Sequence, residues 1–216
     1  MIIKKHWFSL VILIFLMNVF GGVVYGGELV SFSWAFFLKS EGGQVESLDF
    51  SEPESVSVGE QLRIYIELHE KSFVYLYLFD SKDDLYLVFP PSGSFYNGDF
   101  PSGYRTYIPS GNEWFVLDNF NGTEQFYLLA SNNRLNELEK LTDNFLATRD
   151  PDLMEELLGE VEKIAGIYSV GSNYKIDSSQ VSYGSRLNVS KAIQTVNAHA
   201  VSATDNYGVF LELVNK

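Results

Sequence analysis

Between Val58 and Leu135 apolar and polar positions alternate in short runs broken by turn residues. Gln61–Leu68 sets Leu62, Ile64, Ile66 and Leu68 on one side and Arg63, Tyr65 and Glu67 on the other, the period of a half-buried strand. Phe73–Phe79 is apolar on both sides: Phe73, Tyr75, Tyr77 and Phe79 oppose Val74, Leu76 and Leu78. A strand of that kind is covered on both faces. The polar turn Asp80–Asp84 leads into Leu85–Phe89, and Pro90-Pro91 stop the run. Prolines and glycines between residues 90 and 103 predict a long irregular loop. Strands follow at Tyr104–Ile108 and Glu113–Leu117, separated by Pro109–Asn112. Asn121-Gly122 is a turn signal because both residues tolerate positive φ, and Glu124–Ala130 closes the block.

Upstream, Glu28–Lys39 reads as a first strand with Val30, Phe32, Trp34, Phe36 and Leu38 on one side. Residues 40–58 read as a loop holding one short strand near Val45–Phe50. Downstream the period changes. Leu135, Leu138, Leu141 and Phe145 recur at helical spacing, and Leu153, Leu157, Val161 and Ile164 mark a second helix. Asp150-Pro151 supplies a cap and a proline at the first helical position, and Gly166 fits an end. Residues 134–166 are therefore predicted to be a helical hairpin insert, replaceable by a linker without loss of the β-core. The Gly/Ser/Asn-rich stretch Val170–Ser179 reads as a connection. Closing strands are placed within 187–214, with Ala192–Ala203 ambiguous between strand and helix and Gly208–Val214 the last strand. The fold class is mainly β: an antiparallel β-sandwich-like domain with a helical hairpin insert, one domain over residues 27–216.

The first 26 residues follow the order of a secretory signal peptide: Lys4-Lys5, the apolar Phe8–Met17, then Val24-Tyr25-Gly26 as a cleavage site. The expected location is periplasmic or secreted, with no membrane span after cleavage. The alternative is an uncleaved anchor, because Trp7–Tyr25 is just long enough to cross a bilayer. The chain has no cysteine, so disulfides, thiolate catalysis and cysteine zinc sites are excluded. With 46% hydrophobic residues it relies on a core in their place. Its net charge of −13 repels phosphate backbones, which excludes nucleic acid as an expected partner.

The pieces Val58–Ile64, Val74–Phe79, Val88-Phe89-Pro90, Ile108-Pro109, Gly122-Thr123-Glu124 and Ala130-Ser131 come in an order that resembles the bacterial family called domain of unknown function number 4384. The resemblance covers about residues 58–135, with Pro91 where that family has Asn. It implies a β-sandwich-like accessory module of exported bacterial proteins or of enzymes, and it implies no catalytic residues.

No catalytic residue, metal site or cofactor is expected. Once His6 leaves with the signal, His69 and His199 are too few to ligate zinc unaided. Ser172 and Lys175 match Ser-x-x-Lys, but in a Gly/Ser/Asn-rich loop and not on a helix. Asp80, Asp83 and Asp84 lack the glycine and distal glutamate of a calcium loop and read as solvated turn residues. Asn121 and Asn188 fit the glycosylation triplet, which carries no weight in a bacterial envelope protein. The binding candidates are Tyr65, Tyr75, Tyr77 and Trp114, either as an exposed aromatic face or as residues packed in the core or beneath the helical hairpin. The expected function is a non-catalytic exported envelope module that binds a protein partner. The alternatives are a glycan or peptidoglycan binder using those aromatics, and a hydrolase whose site is assembled from distant residues.

Overall fold

A computed structural model of the chain describes residues 29–91, 100–117, 122–171, 174–183 and 194–215. The expected signal segment, Ser172, Asn121 and Asn188 lie outside these residues. Among the described residues twelve strands and two helices follow one another. These are β1 (Leu29–Lys39), β2 (Val45–Ser47), β3 (Glu54–Val56), β4 (Gln61–Leu68), β5 (Phe73–Phe79), β6 (Leu85–Phe89), β7 (Arg105–Ile108), β8 (Phe115–Val116) and β9 (Gly122–Ser131). Then come α1 (Asn136–Thr148), α2 (Pro151–Gly171), β10 (Tyr174–Tyr183), β11 (Gln194–Thr204) and β12 (Asn206–Asn215).

Two sheets result. One runs β10-β11-β1-β4-β7, with β2 beside β1 and β8 beside β4; the other runs β3-β12-β9-β5-β6. Every pairing is antiparallel except that of β3 with β12. Alternation along the strands explains the packing, since each strand turns every second side chain inward. Phe32 and Phe36 of β1, Ile64 and Ile66 of β4, Val74 and Leu76 of β5, and Phe126 and Leu128 of β9 meet in the core between the sheets. Aromatic edges lock the layers: Phe36 meets Phe126 at 4.9 Å and Phe32 meets Tyr207 at 5.6 Å, both edge to face. The chain changes sheets at Asp205, which takes φ 68° between β11 and β12. Its carboxylate accepts a hydrogen bond from the Asn132 amide at 3.1 Å.

The outer face of the second sheet carries the helical hairpin. Tyr75, Tyr77, Leu129, Leu138, Phe145, Leu157 and Val161 form a second apolar cluster there. The first sheet is covered differently. Beyond Trp34, β1 pairs with β2 and no longer with β11. The far half of the β10–β11 hairpin folds across the sheet instead, packing Val181, Val196 and Ala198 on Ala35, Phe37 and Tyr65.

Several boundaries depart from those read in the sequence. The loop 40–58 holds two short strands, not one, and Glu113–Leu117 reduces to the two residues of β8. Gly166 does not end its helix, which continues to Gly171 with Tyr168 seated against Gly208 of β12. Residues Tyr174–Ser179, taken as part of a connection, begin the ten-residue strand β10. Its hydrogen-bond partner is β11, which settles the described part of the ambiguous Ala192–Ala203, from Gln194 onward, as strand. The mainly β fold with two packed sheets and a helical hairpin stands as expected.

Candidate functional site

The aromatic residues that suggested an exposed recognition face do not form one. Tyr75 and Tyr77 are 0% exposed, sealed beneath α1 and α2. Their hydroxyls act as fasteners. Tyr75 donates to Glu139 Oε1 at 2.7 Å and accepts the Leu135 backbone N–H at 3.0 Å, where α1 begins without a side-chain cap of its own. Arg134 grips both oxygens of the same carboxylate, which is nearly fully buried. The Tyr77 hydroxyl meets Thr142 Oγ1 at 2.9 Å, and Thr142 in turn donates to the Leu138 carbonyl. Burial pushes both phenols far above their ordinary range, so each stays a neutral donor.

Tyr65 is also 0% exposed, on the outer face of the first sheet under the folded hairpin. Its hydroxyl donates to Glu67, which pairs with Arg105 at 2.6 Å. Burial alone raises the Glu67 carboxyl, but the hydrogen bonds from Tyr65 and Arg105 and the arginine charge outweigh it and hold it below the usual carboxylate range. Trp114 is half-buried, with the Lys39 ammonium 5.3 Å and the Arg63 guanidinium 5.9 Å from its ring. Arg63 also lies over Tyr107 at 4.5 Å and donates to the Gly111 carbonyl. These residues tie the 109–114 loop to the sheet.

One chemically suggestive pair was invisible in the sequence. Ser33 Oγ lies 2.8 Å from His69 Nε2, bringing together residues 36 apart, with Ser179 Oγ at 3.5 Å. A hydroxyl in contact with an imidazole is the first requirement of an activated nucleophile. Ser33 is only 1% exposed, which closes Oγ to an incoming carbonyl carbon in this conformation. The other histidine, His199, stacks on Trp34 at 4.2 Å, and burial lowers its pKa from the ordinary value. Lys175 lies on a strand and pairs with Asp177 at 2.7 Å. Asp80 Oδ1 accepts the backbone N–H groups of Lys82 and Asp84, the work of a turn residue. Among the described residues no three His, Asp or Glu side chains are grouped to hold a metal ion.

Two features remain open to solvent. The first is the free side of β10. This strand stays in unbroken register with β11 from Tyr174 to Tyr183, and among the described residues no strand pairs with its other side. The second is a groove of about 550 Å³ along α2, between Glu162, Gly166 and Ser169 on the helix and Gly208 and Phe210 on β12. Tyr127 lies in its floor, its ring tilted against Phe210 at 5.2 Å and its hydroxyl donating to Glu162 at 3.1 Å. Burial raises the Tyr127 phenol, and the nearby Glu162 and Glu212 carboxylates raise it further. Glu162 lines the groove itself and gives it an acidic rim.

The geometry defines a class: a β-sandwich module whose two outer faces are closed by its own helical hairpin and its own strand hairpin. Residues 55–134 match the family described as Domain of unknown function (DUF4384), in agreement with the resemblance over residues 58–135. The matched segment takes in most of β3 and all of β4 to β9 and stops at Arg134, so β1, β2, both described helices and β10 to β12 lie outside it. The chain matches no curated protein and no solved structure. No helix among the described residues is long and apolar enough to cross a membrane.

Proposed function

We propose that this chain is an exported, non-catalytic envelope module that binds a protein partner by adding the partner's strand to β10. The export component rests on the order of charged, apolar and small residues in the first 26 positions. The binding component rests on one observation, the contrast between β10 and every other sheet edge. An exposed edge is a template for another chain, and proteins blunt edges they do not use. Here β3 and β2 have three residues each, β7 has four and β8 has two. The five-residue β6 has a register shift opposite Leu76 and Tyr77 and ends at Pro90. By contrast β10 offers ten residues with no register shift and no proline. Ile176 is 43% exposed on it, so an added strand gains an apolar neighbour as well as backbone hydrogen bonds. A second copy is a poor occupant. A two-fold pairing centred on Ser178 sets Ile176 against Gln180 and Lys175 against Val181, and brings two chains of net charge −13 together.

The test is affinity capture from envelope extract with wild-type chain and with Ile176→Lys plus Gln180→Lys, charges placed to discourage strand addition. The expected result is a discrete partner retained by wild type and lost by the variant at unchanged melting temperature. A partner held equally by both removes β10 from the mechanism. Loss of function in a Ser33→Ala or His69→Ala strain, with the protein folded and abundant, would favour a hydrolase.

A further inference from the structure

Glycine in mid-helix weakens a helix relative to alanine, because it has more backbone freedom to lose. Gly208 has a reason within the fold: a Cβ there would stand 2.7 Å from Tyr168 Cβ, so its bare backbone lets α2 rest on β12. Gly166 has no such reason. An added Cβ at Gly166 meets nothing within 4 Å, and the same holds at Gly159. These positions are seven residues apart, close to two turns, and so share one flank of α2. Of the two, Gly166 lines the groove in which Tyr127 and the 44% exposed Phe210 sit.

We infer that this groove docks one helix of a partner protein, apolar on the face that enters and basic along its flank. A helix laid beside α2 continues the layer that α1 and α2 begin, and Gly166 on the facing flank permits close approach of the backbones. The apolar requirement comes from Phe210, Tyr127 and Ala165. The basic requirement comes from the rim: Glu162 and Glu212 both reach the field of the Tyr127 hydroxyl, and Glu155 extends the acidic flank seven residues before Glu162. Lys163, the cation nearest in sequence, is engaged by Glu160 at 2.8 Å. A second copy of this chain would bring one acidic rim against another. The inference rests on the view of the chain as a binding module but not on β10.

The probe is a fluorescein-labelled peptide of 18 residues built from Leu, Ala and Lys as an amphipathic helix, with a Lys-to-Glu counterpart, followed by anisotropy at physiological salt. Wild type is expected to bind the Lys peptide with saturation at one to one and to ignore the Glu peptide. Gly166→Leu and Phe210→Glu should each weaken binding at least tenfold. Gly166→Ala should raise the melting temperature by about 2–4 °C, showing that the fold itself does not need the glycine. Equal affinity of wild type and Gly166→Leu, equal binding of both peptides, or a lower melting temperature for Gly166→Ala overturns the inference. So does a wild-type dimer that Phe210→Glu disperses, which would make a second copy the occupant. The Ile176→Lys, Gln180→Lys chain should bind the peptide like wild type; loss of binding there also overturns it, whereas failure of that chain's extract experiment bears only on β10.

Discussion

Replacing Tyr75 by Phe removes one oxygen atom from the junction between sheet and helices. The Tyr75 hydroxyl serves two partners, the buried Glu139 carboxylate and the Leu135 N–H at the start of α1. A hydrogen bond to a charged group contributes about 1.5–3 kcal/mol, and stranding a half-buried N–H costs about 1 kcal/mol more. Arg134 still holds Glu139, so the carboxylate is not left bare. The expected loss is about 2.5–4 kcal/mol. Tyr77→Phe is the internal control. It breaks one neutral bond, and Thr142 keeps its bond to Leu138, so about 0.5–1.5 kcal/mol is expected. With a urea slope of about 2 kcal/mol per molar, the midpoints should fall by about 1–2 M and less than about 0.8 M, respectively. Urea titration followed by far-ultraviolet circular dichroism reads both, with an unchanged slope as the sign that the states compared are the same. A cycle of Tyr75→Phe with Glu139→Gln should show coupling of at least about 0.5 kcal/mol. If Tyr77→Phe costs as much as Tyr75→Phe, or the cycle is additive, the carboxylate is not the anchor of the hairpin.

The remaining predictions concern the hairpin, the first sheet and one glycine. Replacing residues 134–171 by a Gly/Ser linker should abolish cooperative unfolding, because Tyr75, Tyr77 and Leu129 would face water; a sharp melt of that variant would restore the view of the hairpin as dispensable. The Glu67 carboxyl is held lower in the fold than in the unfolded chain, so its contribution is present above the ordinary carboxylate range and lost as pH falls through its folded value. Urea midpoints between pH 6 and 3 should therefore fall less steeply in Glu67→Gln than in wild type. The fold also lowers the His199 pKa from 6.5, so stability from the neutral ring is complete above that pH and declines as acid protonates the unfolded chain preferentially. His199→Gln should flatten the urea midpoint just below pH 6.5, and an unchanged profile would refute the assignment. Gly208→Ala should cost about 1–3 kcal/mol by overpacking against Tyr168, measured by the same denaturation.

Strands with a clean period of two were legible because one side of each meets the core. Gln61–Leu68 and Leu29–Lys39 are of this kind, and the two-sided Phe73–Phe79 correctly implied a covered strand. What covered it was less clear, since Tyr75 and Tyr77 look alike whether they meet helices or a ligand. Strand β10 was hidden because it is an edge: Ile176 and Val181 fall on opposite sides of it, leaving no apolar stripe among its serines. The Ser33–His69 and Tyr75–Glu139 contacts join residues 36 and 64 apart, and no local pattern encodes such meetings. Gly166 reads as a stop because glycine so often ends helices; the residues after it form another helical turn, whose Tyr168 packs on Gly208 some forty residues further along the chain.

The order in which the strands meet has a consequence for how the chain acquires its shape. Leu29 of β1 pairs with Thr204 of β11, and β12 inserts between β3 and β9, so each sheet needs strands from near both ends of the described chain. Until β11 and β12 emerge from the ribosome, the inner strands β1 and β9 each lack a neighbour and the apolar sides of both layers lie open. Neither sheet is complete before those strands are made, and pairings over so long a sequence separation are slow to form. Apolar surface left open in this way is prone to aggregate until β11 and β12 pair.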